Sequence, residues 1–226
     1  MKIGILGTGI VGRTLAAKFS SEGDDLMIGT RNVSNTMAKG EPDGMGNPPF
    51  KEWQKQNQKV KLGTFSEAAT FGELILLATF GNVTKNAIDL AGKENFKKKV
   101  VIDTTNPLDF SKGVPPGFTA TLGNSLGEQI QKYLPDSKVV KAFNSIGAHI
   151  MVNPKREEGD PDFFLAGNDE KAKKQISAIV SKWGWKSATD LGDISQAFWL
   201  EALAMIWINY GFKYNSWSQA FKLLKK

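Results

Sequence analysis

The sequence predicts an α/β fold, namely a doubly wound parallel sheet followed by a small C-terminal α/β extension. Three observations predict this class. A glycine-rich turn joins a strand pattern to a helical pattern at the start of the chain. Apolar strand patterns then alternate with helical patterns as far as about residue 147, which is typical of parallel sheets. The pattern then changes, so we expect residues 1–147 to form the main domain and 148–226 the extension.

The opening turn predicts a dinucleotide-binding site. Residues 3–6 form an apolar strand pattern, residues 13–20 form a helical one, and Gly7, Gly9 and Gly12 lie between them. In such a turn the first glycine permits the bend, the second lets the backbone approach a pyrophosphate, and the third lets the helix pack on the strand. The helix N–H groups then face the phosphates. With this context the motif indicates a Rossmann fold; a glycine-rich turn that binds nothing is the alternative.

The end of the second strand, predicted at 26–28, indicates the cofactor. An NAD site usually carries an acid about 20 residues past the glycines, to bind the ribose 2′-hydroxyl. Here Thr30 and Arg31 stand in that place, and Asn32 and Ser34 add short hydrogen-bonding side chains. Arginine attracts a 2′-phosphate and can bind it bidentately. We therefore predict NADP rather than NAD. The alternative is that Arg31 caps a surface turn.

The remaining elements of the main domain follow from apolar periodicity and turn residues. They are a loop at 39–47, a helix at 50–58 with Phe50 and Trp53 on one face, a strand at 60–62, a helix at 66–70, a central strand at 73–78, a loop at 79–82, a helix at 84–91, a strand at 100–102, a loop at 111–117, a helix at 125–134 with Ser125 and Glu128 as a capping box, and a strand at 138–143.

The C-terminal part carries an unusually apolar helix. We predict strands at 162–166 and 185–191, and helices at 168–183, 194–210 and 216–224. The helix at 194–210 is apolar nearly all round, so it must be buried nearly all round. The last helix is too short to cover it alone. We therefore expect a homodimer with the 194–210 helix at or near the two-fold interface; burial within one subunit is the alternative.

Composition excludes several classes of protein. The chain has 226 residues, a net charge of +6 and a pI of about 9.3, but its lysines lie in scattered clusters that we interpret as solvated faces, so no nucleic-acid partner is expected. There is no cysteine, which excludes disulfides and thiolate chemistry. No secretory leader and no apolar run of membrane-spanning length stands out, and we expect a cytoplasmic protein with no membrane partner.

The usual catalytic constellations are missing from the sequence. The only histidine is His149, so no histidine cluster can bind a metal, and we expect His149 to be structural. No tyrosine is followed by lysine four residues later, and there is no G-x-S-x-G elbow. We predict no catalytic side chain and no metal ligand. Hydride transfer between two redox cofactors, such as nicotinamide and a flavin or deazaflavin, fits this best, because it needs positioning more than proton transfer.

Five motifs carry a resemblance to a known family. The chain resembles the NADPH-dependent reductases of the deazaflavin coenzyme F420, an NADP oxidoreductase family related to the cytoplasmic domain of the STEAP metalloreductases. The resemblance covers nearly the whole chain. The motifs are ILGTGIVG at 5–12, GTR at 29–31, LLAT at 76–79, DTTNPL at 103–108 and VKAFN at 140–144.

The resemblance implies contacts for each part of NADP. The pyrophosphate would meet Thr8, Gly9, Ile10 and Val11. The 2′-phosphate would meet Thr30, Arg31 and Ser34. Thr79 and Phe80 would border the nicotinamide ribose, and Ala142 would contact the carboxamide. The hydride acceptor, a small redox molecule, would stack in a cleft near Asn106, Phe143 and Ile146.

Two departures from the family pattern leave the acceptor open. Phe80-Gly-Asn replaces the small or proline-containing loop that is expected after Thr79, and His149 stands where a small residue is common. We therefore predict an NADP-dependent oxidoreductase that passes hydride to a deazaflavin, a flavin-like ring or another acceptor. A reductase of metals or quinones through a bound flavin and a non-enzymatic NADP sensor are the alternatives.

Overall fold

The computed structural model describes residues 1–44, 46–186 and 188–224, and within them ten strands and nine α-helices are formed. The strands are β1 (Lys2–Leu6), β2 (Asp25–Thr30), β3 (Lys61–Thr64), β4 (Leu74–Leu77), β5 (Val100–Asp103), β6 (Leu108–Asp109), β7 (Gly117–Phe118), β8 (Lys138–Ala142), β9 (Phe163–Gly167) and β10 (Ala188–Asp190). The helices are α1 (Ile10–Ser21), α2 (Val33–Ala38), α3 (Phe50–Gln56), α4 (Phe65–Phe71), α5 (Thr84–Ala91), α6 (Leu126–Tyr133), α7 (Ala148–Val152), α8 (Glu170–Lys182) and α9 (Ala197–Tyr214).

Eight of these strands form a single sheet in the order β10-β9-β8-β5-β4-β1-β2-β3. The six strands from β8 to β3 are parallel, whereas β9 runs antiparallel to β8 and carries β10 parallel to itself. Helices cover both faces over two apolar cores. The predicted doubly wound parallel sheet is therefore confirmed. The C-terminal strands continue the same sheet, and the boundary at 147/148 stays a prediction.

The central strands β1 and β4 carry apolar side chains at their buried positions because both faces of the sheet are covered. All four side chains of β4 are buried, as are Ile3 and Ile5 of β1. Two helices begin at complete capping boxes, formed by Thr64 with Glu67 at α4 and by Ser125 with Glu128 at α6. The second of these was predicted from the sequence and is confirmed.

The structure corrects the prediction of a helix at 216–224. Those residues are not helical, because α9 ends at Tyr214, the next residue, Asn215, adopts a left-handed conformation, and the tail forms hydrogen bonds with distant residues. Trp207 and Gln219 exchange two hydrogen bonds, and Asp162 binds the tail near its end. The strand predicted at 185–191 is the shorter β10, and its Ser187 lies outside the described residues, as does Met45 of the predicted 39–47 loop.

Three elements were not expected from the sequence. They are α2, α7 and the two-stranded β6–β7 hairpin. In the described part of the chain no helix is both long enough and apolar enough to span a lipid bilayer.

Candidate functional site

The glycine-rich turn is held tightly between β1, β4 and α1. Gly7 has a φ of +127°, and a Cβ there would lie 2.3 Å from the carbonyl oxygen of Ala78, just after β4. A Cβ on Gly12 would lie 2.3 Å from the carbonyl oxygen of Gly7. Both positions therefore need glycine, the first for backbone conformation and close approach, the second for close approach alone.

Gly9 differs from Gly7 and Gly12 because it faces open space. A Cβ built on it would meet nothing within 4 Å, and the residue is exposed at the N-cap of α1. No side chain caps α1, so the N–H groups of its first turn are left to an external partner. An empty space above a helix N-terminus fits a pyrophosphate, and the residues present therefore suit a dinucleotide.

Arg13 stabilises this turn. It was not predicted from the sequence as part of the site, because an arginine on a helix is normally taken as exposed. It is buried, its Nε donates to the carbonyl oxygen of Thr8 at 2.7 Å, and its Nη1 donates to that of Pro48. Its guanidinium lies 5.4 Å from the ring centroid of Phe50. Burial lowers the pKa of Arg13, and Asp43 opposes that effect. Arg13 therefore joins the glycine-rich turn to the start of α3.

The residues predicted to hold a 2′-phosphate lie at the end of β2 and just after it, but they do not all present free groups. Arg31 and Ser34 are exposed. The Asn32 side chain caps α2 by accepting from the backbone N–H of Asn35, and the buried Thr30 hydroxyl shares a 2.7 Å hydrogen bond with that of Thr36. Arg31 and Ser34 are thus the side chains with groups open to a ligand.

The carboxyl ends of β4, β5 and β8 lie side by side and bring the other predicted residues to one edge. The Thr79 hydroxyl hydrogen-bonds that of Thr84 at 2.9 Å. Phe80 is 64% exposed, and its ring centroid lies 6.3 Å from that of Phe110 in an edge-to-face contact. Between them lies a cavity of about 250 Å³, whose lining consists of Phe80, Gly81, Asn82, Val83, Leu108 and Phe110.

Asn106 pairs with a residue that was not predicted as part of the site. Its Nδ2 donates to the carbonyl oxygen of Asn144 at 2.8 Å, and the Nδ2 of Asn144 donates back to its Oδ1 at 2.9 Å. The same Nδ2 of Asn144 also reaches the carbonyl oxygen of Leu200 in α9. The Oδ1 of Asn144 is buried and has no partner within the described chain. This amide pair ties the loop after β5 to the loop after β8.

A cluster of buried charged side chains adjoins the amide pair. Lys141, Asp103 and Glu201 are all completely buried, and the ammonium lies 2.9 Å from the carboxylate of Asp103 and 2.8 Å from that of Glu201. Burial alone would lower the pKa of Lys141, but the two carboxylates outweigh it and hold that pKa above its ordinary value. The sequence held a signal for two of the three residues, because Lys141 and Glu201 each stand within an apolar segment. A charge that is buried with such a segment must be paired.

Three residues that the resemblance placed at the nicotinamide carboxamide (Ala142) or in the acceptor cleft (Phe143 and Ile146) are buried in the structure. Ala142 and Phe143 have almost no exposed surface, and Ile146 is also buried. The Phe143 ring packs 4.7 Å from that of Phe163, centroid to centroid, and its backbone φ is +66°. His149 is exposed on α7, with a pKa lowered first by partial burial and then by Arg156.

A glycine-rich strand–turn–helix with open space at the helix N-terminus, on a doubly wound sheet, defines a Rossmann-type dinucleotide-binding fold. Comparison with known proteins gives the particular family. A sequence model described as "NADP oxidoreductase coenzyme F420-dependent" matches residues 2–107. The F420-dependent NADP reductase of Methanocaldococcus jannaschii is 30% identical over 221 residues, which cover 96% of this chain and 95% of that protein. The chain belongs to the family of F420-dependent NADP reductases.

Two further similarities agree with this assignment. A crystal structure from Arthrobacter sp. FB24, assigned as an F420-dependent NADP reductase, superimposes with a TM-score of 0.94 at 39% identity and full coverage of both chains. The metalloreductase STEAP3 of Rattus norvegicus is 26% identical over 204 residues, which cover 90% of this chain and 36% of that protein. The family resemblance and the relation to STEAP proteins expected from the sequence are therefore confirmed.

Proposed function

We propose that the protein transfers hydride between NADPH and a deazaflavin, or a closely similar flavin-like acceptor. The observation that carries the proposal is the open space over Gly9 at the N-terminus of α1, with exposed Arg31 at the end of the neighbouring strand. The family supports NADP as the cofactor, since its named members are F420-dependent NADP reductases. When bound, NADPH supplies a hydride from its nicotinamide ring, and the acceptor takes up that hydride and a proton from solvent.

The residues of the chain contribute binding and orientation. The α1 N-terminus and the backbone around Gly9 would hold the pyrophosphate, and Arg31 with Ser34 would hold the 2′-phosphate. Thr79 and Asn106, on adjacent strand ends, would border the nicotinamide half. Holding two planar rings in contact can lower the activation barrier by about 7–11 kcal/mol without an acid or a base.

Two other functions stay open as alternatives. A reductase of metals or quinones would need a flavin bound at the same strand edge, and the partial similarity to STEAP3 is the observation that favours it. A sensor would bind NADPH and change partner without consuming it. Both alternatives share the NADP site. The first differs from the main proposal in what accepts the hydride, and the sensor differs in transferring no hydride at all.

One assay separates the three functions. NADPH oxidation is followed anaerobically with a deazaflavin, FMN, FAD, a quinone or ferric citrate in separate reactions, and the last two acceptors are tested both with and without added FMN. The reduction of the acceptor is recorded in each reaction together with the oxidation of NADPH. Oxidation with the deazaflavin or with a free flavin, in a 1:1 ratio, supports the proposal. Ferric or quinone reduction that needs added flavin supports the first alternative. Tight NADPH binding without oxidation in every reaction supports the sensor and contradicts the proposal.

The oligomeric state is part of the proposal. One face of α9 packs in the core, whereas Trp199, Ile206 and Tyr210, spaced by seven and four residues, lie on another face and are 54%, 60% and 46% exposed. A row of large exposed apolar side chains is typical of an interaction surface. We infer that a second copy of the chain covers it, giving a homodimer. Cytoplasmic location likewise stays a prediction.

A further inference from the structure

The ion cluster of Asp103, Lys141 and Glu201 has no role in the binding contacts proposed above. All three side chains are completely buried, and with one cation and two carboxylates the cluster carries a formal charge of −1. Burying charges costs free energy, and an apolar replacement of a buried ion pair is often as stable as the pair itself. Stability alone therefore does not account for the cluster, and its directional bonds are the property that an apolar core would lack.

The hydrogen bonds and ion pairs of the cluster join four elements, namely β5, β8, α6 and α9. Lys141 of β8 uses its ammonium on the two carboxylates and on the carbonyl oxygen of Thr105, 2.6 Å away. Asp103 of β5 accepts from the backbone N–H and the hydroxyl of Thr105. Glu201 of α9 accepts from the N–H groups of Leu126 and Gly127, the first two residues of α6. The positive end of the α6 dipole thereby offsets the excess negative charge.

The cluster is continuous with the amide pair at the strand edge. Thr105, which bonds Lys141, precedes Asn106, and Asn106 bonds Asn144. Asn144 in turn bonds the carbonyl oxygen of Leu200, next to Glu201 in α9. Phe143 lies between Lys141 and Asn144, and its backbone is left-handed. That conformation costs free energy in any residue other than glycine, and the network holds it from both sides.

We propose that this continuous network positions the two loops at which the nicotinamide half of the cofactor binds, and that Glu201 is its positioning residue, linking those loops to α9. The inference rests on the proposed function for its kinetic consequence. Glu201 does not touch the cofactor in this account. It acts through Lys141 and Asn144, and its loss loosens the nicotinamide end while the phosphate end, at β1 and β2, stays intact.

The test compares Glu201→Gln with Asp190→Asn. Each substitution keeps the volume of the side chain and removes one carboxylate from a buried lysine that has two acidic partners, since Lys173 pairs with Glu170 and Asp190 at 2.7 Å each. Asp190 lies in β10 at the outer edge of the sheet, two strands from β8. Asp190→Asn therefore controls for the general effect of weakening a lysine ion cluster.

We expect Glu201→Gln to lower kcat about tenfold or more, because small misplacements of reacting groups have effects of that order, while KM and Kd for NADPH change less than about threefold. The fluorescence anisotropy of the bound nicotinamide should fall in Glu201→Gln and remain at the wild-type value in Asp190→Asn. This second readout does not depend on any acceptor.

Two results would contradict the positioning role of Glu201, and a third would refute the proposed function alone. Equal changes in both variants, following only their melting temperatures, would make the cluster merely structural. Unchanged anisotropy in folded Glu201→Gln would also contradict positioning.

If Glu201→Gln does not fold, Asn144→Ala provides a second test. It removes the amide pair without changing the buried charges, and it must lower kcat and anisotropy in the same way. A wild-type protein that reduces no acceptor refutes the proposed function, but the anisotropy comparison still decides positioning.

Discussion

Arg31 is the residue that most directly decides between NADPH and NADH. It is exposed at the end of β2, where an acid would select NAD. We expect Arg31→Ala to weaken NADPH binding by about 1.5–3 kcal/mol, the range for a hydrogen bond to a charged group, and to leave NADH binding nearly unchanged. Fluorescence titration of both cofactors measures it. Lys59→Ala, which removes a positive charge just before β3 at the opposite end of the strands, is the control. An equal loss for NADH would refute a 2′-phosphate role.

Gly9 and Gly12 separate binding from folding within one turn. Gly9→Val places its branched side chain in open space, so the protein should fold normally and bind neither cofactor. Gly12→Val instead forces a Cβ against the carbonyl oxygen of Gly7 and should lower the melting temperature sharply. Thermal melts and NADPH titrations are run on both variants. Normal NADPH affinity in Gly9→Val would show that this space does not hold the phosphates.

At the scale of single elements, the capping box of α6 offers a clean measurement of local stability. Ser125 is completely buried and accepts from the N–H of Glu128, whose carboxylate bonds back to Ser125. Loss of such a cap costs about 1 kcal/mol. We expect Ser125→Ala to lower the free energy of unfolding in urea by that amount, with an unchanged m-value. The matched variant Thr64→Ala at α4 should behave alike. A urea midpoint equal to wild type in both would contradict the assigned caps.

Elements with a strong local signal were predictable from sequence, and those held by distant contacts were not. The strand β4 and the helix α5 follow from continuous apolarity and from periodicity, and α5 has the bounds that were predicted. The tail at 216–224 has a helical pattern but forms its bonds with Trp207 and Asp162, which local pattern cannot reveal. The same holds for the ion cluster, whose members are up to 98 residues apart, from Asp103 to Glu201.

At the scale of the whole molecule, the exposed face of α9 predicts assembly. Large apolar side chains left in solvent favour a second subunit, because their burial contributes roughly 25 cal/mol for each Å². We expect light scattering at micromolar concentration to give about twice the chain mass of 24.7 kDa. Ile206→Glu should convert that dimer to a monomer, whereas Lys174→Glu, an exposed charge reversal on α8, should not. A wild-type mass near 24.7 kDa would refute the dimer.

The central claim is that hydride passes directly from NADPH to a deazaflavin-like ring held at the strand edge. The most direct test uses NADPH deuterated at nicotinamide C4, each face in turn, in an anaerobic single turnover with a deazaflavin, whose C5 retains the transferred atom. The account predicts deuterium at C5 of the reduced deazaflavin from one labelled face only, with a matching amount of NADP⁺. Bound but unoxidised NADPH, or reduced deazaflavin without deuterium from either face, would contradict it.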